Sequence, residues 1–146
     1  MAKNDEQDVL YELNRLLADY AVMYVKLHRY SWYAKGEHVF VLQAIFKELS
    51  KDIKDEFDQL AAYILGISGK PFATMIKFVK EAHIEEATAD DEEEEMMSQL
   101  IQDFQVIKEV IHHLMSLSDK NTAYYLLASK QKWNTYLHQW HAYKDS

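Results

Sequence analysis

The sequence predicts an all-α protein, a bundle of four long helices with a short extra helix in the connection between the second and third. Three observations point there. The 146 residues include only three glycines and one proline, far fewer turn residues than a β-rich domain needs. Apolar residues make up 49% and recur every three or four positions through four long stretches. The glycines and the proline fall between those stretches, where helices stop.

The first helix is predicted from about Asp5 to Ala34. Leu10, Leu13, Leu17, Tyr20, Tyr24, Leu27 and Ser31 form its stripe, and Gly36 ends it. The second runs from about Glu37 to Leu65. Its stripe is Phe40, Leu42, Ile45, Phe46, Leu49, Ile53, Phe57, Leu60 and Ile64, and Gly66, Gly69 and Pro71 close it. A long connection follows, to about Ala89, with room for a short helix over Ala73 to Lys80. The third long helix begins at the acidic run Asp90–Glu95. Carboxylates there complement the positive end of a helix dipole, a plainer reading than a metal-collecting patch. Met97, Leu100, Ile101, Phe104, Ile107, Ile111, Leu114 and Met115 carry it on. The fourth starts near Asp119 or Asn121, either suited to an N-cap, and runs through Leu126, Leu127, Trp133, Leu137 and Trp140. Short outer joins and one long middle connection describe a bundle with a single crossover, the ferritin-like topology. Residues 1–146 are read as one such domain.

Composition narrows the function classes. There is no cysteine, which excludes disulfides and thiolate metal sites. No apolar run approaches the roughly 18 residues that cross a bilayer. The first eight residues are polar and acidic, unlike a signal peptide, so a soluble cytoplasmic protein is expected. A formal net charge of -8 disfavours simple electrostatic capture of nucleic acid.

Two blocks carry a resemblance. They are Lys26-Leu-His-Arg-Tyr-Ser-Trp-Tyr-Ala-Lys-Gly36 and Leu65-Gly-Ile-Ser-Gly-Lys-Pro-Phe-Ala-Thr-Met75. With Phe40, Leu42 and Phe46 between them, the chain resembles the Dps family of mini-ferritins from about Leu10 to Leu137. The resemblance implies a hollow dodecameric shell that oxidises Fe(II), often with peroxide, and stores the ferric product. Many members also bind DNA. It implies an iron site at a two-fold interface between subunits. One subunit gives a His before the Trp, then a His and an acid one turn apart on the second helix. Its neighbour gives an Asp and a Glu further along that helix.

Carried over one by one, these positions hold Ser31, Gln43, Lys47, Asp58 and Ala62. Only Asp58 matches. Iron chemistry needs anionic or imidazole ligands, so the expectation is a Dps-like shell with an inactive or weak ferroxidase centre. The sequence assigns no definite cofactor, and iron is the candidate metal. Lys47 and Asp58 lie eleven residues apart, about three turns, and cannot meet within one chain. Across a surviving two-fold, Lys47 would face Asp58 of the neighbour, an ion pair where relatives hold iron.

Other constellations are weighed against plainer readings. Glu48, Asp52 and Asp55 share a helix face and offer oxygen ligands, but Lys51 and Lys54 lie among them, as on a solvated mixed face. With His28, His38 and Asp58 they are the candidate ligands of a relocated ferroxidase site, the alternative reading. Histidines so placed are more often simply hydrogen-bonded. Glu109 and His112 form a single Glu-x-x-His, where full-size ferritins use two, and His138 with His141 could chelate a surface metal weakly. Trp32 matches the tryptophan beside the family's iron; without iron, packing is the expected role. Asp119 stands where the resemblance implies an acidic three-fold pore, and Tyr124 where a second acid is expected. No DNA-binding residue is assigned, since Lys3 is the only base before Arg15. An exposed cluster of Lys26, Arg29 and Lys35 would favour the third reading, a DNA-compacting shell.

Overall fold

The computed structural model describes residues 3–87 and 92–145. Five helices follow in order: α1 (Lys3–Tyr33), α2 (Val39–Gly66), α3 (Met75–Glu81), α4 (Glu93–Leu117) and α5 (Lys120–Asp145). No strand occurs among the described residues. The crossover bundle expected from the sequence is the architecture found. α1 packs along α2 and α4 along α5, while α3, in the crossover, lies against α1.

Local chemistry sets the breaks. Gly36 has φ 113°, and a Cβ there would stand 2.9 Å from a Glu93 carboxylate oxygen, so the α1–α2 join needs glycine twice over. α2 ends in a Schellman arrangement. The Gly69 amide donates to the Ile64 carbonyl at 2.8 Å and the Ser68 amide to Leu65 at 3.0 Å. Ser68 takes the left-handed position with φ 69°, a place usually filled by glycine. Gly69 is needed for closeness instead, because a Cβ would lie 2.6 Å from a Leu10 methyl. Thr74 caps α3 by accepting from the Lys77 amide at 3.3 Å. Of the two N-caps considered for α5, Asp119 is the one used. Its carboxylate accepts from the Thr122 amide at 2.9 Å. Glu93, Glu94 and Glu95 fill the first turn of α4, as the dipole reading expects. Asp90 and Asp91 lie outside the described residues.

The predicted stripes bury as a single core through Leu13, Leu17, Leu42, Phe46, Ile53, Leu60, Phe104, Ile107 and Trp133. Two assignments on α2 are corrected. Phe40 is 83% exposed. It sits two residues, about 200° of helical turn, from buried Leu42 and therefore points away from the core. Phe57 is only half-buried, and Glu56 takes the interior position. Glu56 is three residues after Ile53 and four before Leu60, so it shares their face.

Buried charge ties the bundle together. Glu56 accepts from Lys132 Nζ at 2.5 Å and Ser129 Oγ at 3.3 Å, joining α2 to α5. Lys26 Nζ meets Asp103 Oδ2 at 2.5 Å, joining α1 to α4. Gln99 adds a second bond to Asp103 at 3.1 Å. Burial outweighs the pull of the Lys26 ammonium and raises the Asp103 pKa above the ordinary carboxylate value. Asp19, fully buried, accepts from the His83 and Ile84 amides and pairs with His83 Nδ1 at 2.7 Å, pinning the crossover to α1. Each carboxylate thus has partners, as buried charge requires.

Candidate functional site

The α1–α2 hairpin opens a groove of about 600 Å3 along its outer face. α1 contributes Tyr24, His28, Ser31 and Trp32, which the helical period stacks on one side. α2 contributes Lys47, Glu48, Ser50, Lys51 and Lys54. The His28 ring stands edge-on to Tyr24 at 4.5 Å and tilted to Trp32 at 5.6 Å. Ser31 is buried at the groove floor. Ser50 Oγ donates to the Lys47 carbonyl at 2.8 Å, which fixes its rotamer to the helix. Lys51 approaches Glu48 at 3.7 Å. Among the described residues, Lys47 and Lys54 have no carboxylate within ion-pair distance.

A family model for the ferritin-like domain matches residues 10–133. General stress protein 20U of Bacillus subtilis is 36% identical over 138 residues, covering 92% of this chain and 94% of that one. The DNA protection during starvation protein of Brevibacillus brevis is 38% identical over 104 residues, 71% of this chain and 70% of its own length. The crystal structure of a Dps protein from Bacillus brevis superposes with a TM-score of 0.93 at 31% identity, covering 98% and 99% of the two chains. The chain belongs to the Dps family of ferritin-like proteins.

On this Dps chain, two positions that the resemblance assigns to iron, Ser31 and Lys47, line the groove just described. Gln43 lies one turn before Lys47 and is half-buried. Asp58 and Ala62 are exposed further along α2, with Asp58 roughly 16 Å from Lys47 along the helix axis. One subunit therefore brings together only three of the five positions.

The alternative ligands do not converge. His38 is drawn to Glu93 Oε1 at 2.8 Å, in a separate hollow with Glu94, Met97 and Tyr143, away from His28. Glu48, Asp52 and Asp55 are all exposed, and Glu48 is engaged by Lys51. Among the described residues of one chain, no three or more His, Asp or Glu side chains are grouped to hold a metal ion. Glu109, His112, His138 and His141 are exposed, and His112 Nδ1 lies 3.0 Å from Lys130 Nζ.

Lys26, Arg29 and Lys35 do not form an exposed, unpaired basic cluster. Lys26 is 3% exposed and committed to Asp103, so it cannot join an exterior basic cluster. Arg29 is half-buried over the Tyr33 ring and Lys35 faces Glu92 at 3.6 Å. Trp32 is 72% exposed in the single chain, where it projects from the last turn of α1 into the groove. Tyr124 is also open to solvent, and Asp119 is occupied as a helix cap.

The buried ions had only a weak sequence signal. Asp19, Lys26, Glu56 and Asp103 each stand three or four residues from core positions, so helical phase places them inward. Composition gives no hint that Lys26 would find Asp103, 77 positions away. Among the described residues no helix is long and apolar enough to cross a membrane.

Proposed function

We propose that this protein is a cytoplasmic Dps-type shell subunit of stress protection and iron handling whose intersubunit ferroxidase centre has been lost. The observation that carries this reading is Lys47. Its ammonium occupies the groove position where the family places an acid, and no carboxylate of its own chain neutralises it. Fe(II) is the substrate at such a site, and it needs hard anionic or imidazole donors that strengthen as Fe(III) forms. The five positions offer a hydroxyl, an amide, an ammonium, one carboxylate and a methyl group. That set does not fit iron, and the ammonium repels it.

Self-assembly is part of the proposal. One chain leaves Phe40, Ile76, Met75 and Trp32 more than two-thirds exposed, an apolar load that a neighbour would cover. In a dodecamer with the family's two-fold, Lys47 would meet Asp58 of the partner subunit. That pair would set register across the interface more than it would add stability. The names of the relatives speak of DNA protection. With a charge of -8 and Lys26 withdrawn into the core, shielding by the shell fits this chain better than direct DNA capture.

The test is Fe(II) oxidation by the assembled protein, with air and then with peroxide, followed by ferric absorbance against a protein-free control. A rate equal to the control is expected. Saturable oxidation at a few irons per subunit would sink the proposal and restore the relocated site. Light scattering on the same sample reads the assembly.

A further inference from the structure

The groove that has lost its anionic ligands has gained cations, and this excess needs a partner. Lys47, Lys51 and Lys54 follow one another at four- and three-residue spacing, so all three ammonium groups rise from one side of α2. Lys47 and Lys54 are about 10 Å apart along the helix axis, close enough for two long, flexible side chains to converge on one small ion. Only Lys51 has a carboxylate, Glu48 at 3.7 Å. The opposite wall is not acidic either. It presents the His28 ring, held between Tyr24 and Trp32, and the Ser31 hydroxyl. Within a chain of net charge -8, three cations against one anion make this concavity a local positive field.

We infer that this α1–α2 groove is an oxyanion site that takes inorganic phosphate or a phosphate-class group, with Lys47 and Lys54 as its principal charges. The inference deepens the reading of a lost iron centre and rests on it. Lysine binds phosphate as a movable point charge, so convergent ammonium groups suffice without a rigid fork. His28 can donate to a bound oxyanion from a ring nitrogen. Besides the three lysines and Glu48, no other charged side chain lines the groove. Should Asp58 of the partner subunit reach Lys47, phosphate would compete with that carboxylate for the ammonium group.

The experiment is isothermal titration of the assembled protein with inorganic phosphate in a low-salt chloride buffer. It is repeated on Lys47→Gln/Lys54→Gln and on the control Lys108→Gln, which lies on α4 away from the groove. Saturable binding is expected in the wild type and the control. The double variant should bind at least about tenfold more weakly, since each charge-assisted bond contributes roughly that factor. Raising salt should weaken the wild type. A single-stranded oligonucleotide forms the second arm. Phosphate binding that the oligonucleotide does not displace assigns the free ion; displacement that depends on the two lysines assigns a nucleic-acid phosphate. Absence of saturable binding, or equal binding by the double variant, overturns the inference. Circular dichroism and light scattering on each variant separate a lost site from a lost fold. Iron oxidation on the same wild-type sample separates the two readings. Slow oxidation without phosphate binding removes only the oxyanion site, whereas fast oxidation removes the lost-iron-centre reading itself.

Discussion

Removing Lys26 should strand the buried Asp103 carboxylate and destabilise the bundle. The Lys26 ammonium and the Asp103 carboxylate are 3% and 5% exposed and 2.5 Å apart, so solvent screens neither. Lys26→Met keeps the stem length but strands the carboxylate. Breaking such a buried pair costs about 3–5 kcal/mol. Gln99, which still donates to Asp103 at 3.1 Å, places the expected loss near the lower end, at about 3 kcal/mol. Replacing both partners, as Lys26→Met with Asp103→Leu, removes the two desolvation costs together and should return stability to within about 1 kcal/mol of the wild type. Asp103→Leu alone strands the ammonium at a like cost of about 3 kcal/mol, so the cycle would give a coupling of about 5 kcal/mol. The pH dependence has a fixed sign. Asp103 has a folded pKa above its unfolded value, so its contribution to stability is full below the ordinary carboxylate range. That contribution is lost as pH rises through the raised folded value. The defect in Lys26→Met should therefore shrink as pH is lowered from neutral toward the carboxylate range, where Asp103 accepts a proton. The assay is urea unfolding followed by far-ultraviolet circular dichroism, at one protein concentration because assembly is linked to stability. A loss under about 1 kcal/mol in Lys26→Met, or a double variant as weak as the sum of the singles, would refute the reasoning.

Two further outcomes follow from the geometry. Ser68 holds a left-handed φ of 69° at the end of α2, so Ser68→Gly should raise stability by about 0.5 kcal/mol, while Ser68→Val should lower it by about 1–2 kcal/mol, read in the same urea series. In alkali, burial pushes the Tyr125 phenol up to about 12 and raises Tyr20 and Tyr136 well above 10. Folding therefore keeps protons that the unfolded chain releases near pH 10, and stability is lost as pH rises from there through the folded values. A phenolate absorbance titration should show these three lagging behind the rest of the ten tyrosines; a single transition near pH 10 with the fold intact would contradict it.

The helices were legible because their signals are local. Gly36, Gly69 and Pro71 punctuate the chain, and the observed boundaries fall within a few residues of those predicted. Phase errors arose where one residue decided a face. Phe57 looked like the natural successor to Ile53, but Glu56 lies nearer the inward direction and Lys132 with Ser129 made its burial tolerable. The residues at the positions that the resemblance assigns to iron need only residue identity to be read. Pairings were not legible. Lys26 reads as a surface base until Asp103 is folded against it, and His38 reads as a ligand until Glu93 occupies it. Those partners lie 77 and 55 positions away, and nothing in a helical period reports on such distances.

That separation also bears on time. Asp19 to His83, Lys26 to Asp103 and Glu56 to Lys132 span 64, 77 and 76 positions, each closing a loop far longer than either helical hairpin. Contacts of this range form late, after the local hairpins are in place, so their strength acts mainly on how slowly the folded subunit opens. A chain built this way gains endurance rather than folding speed. For a protein of stress protection, a long folded lifetime is the more useful of the two.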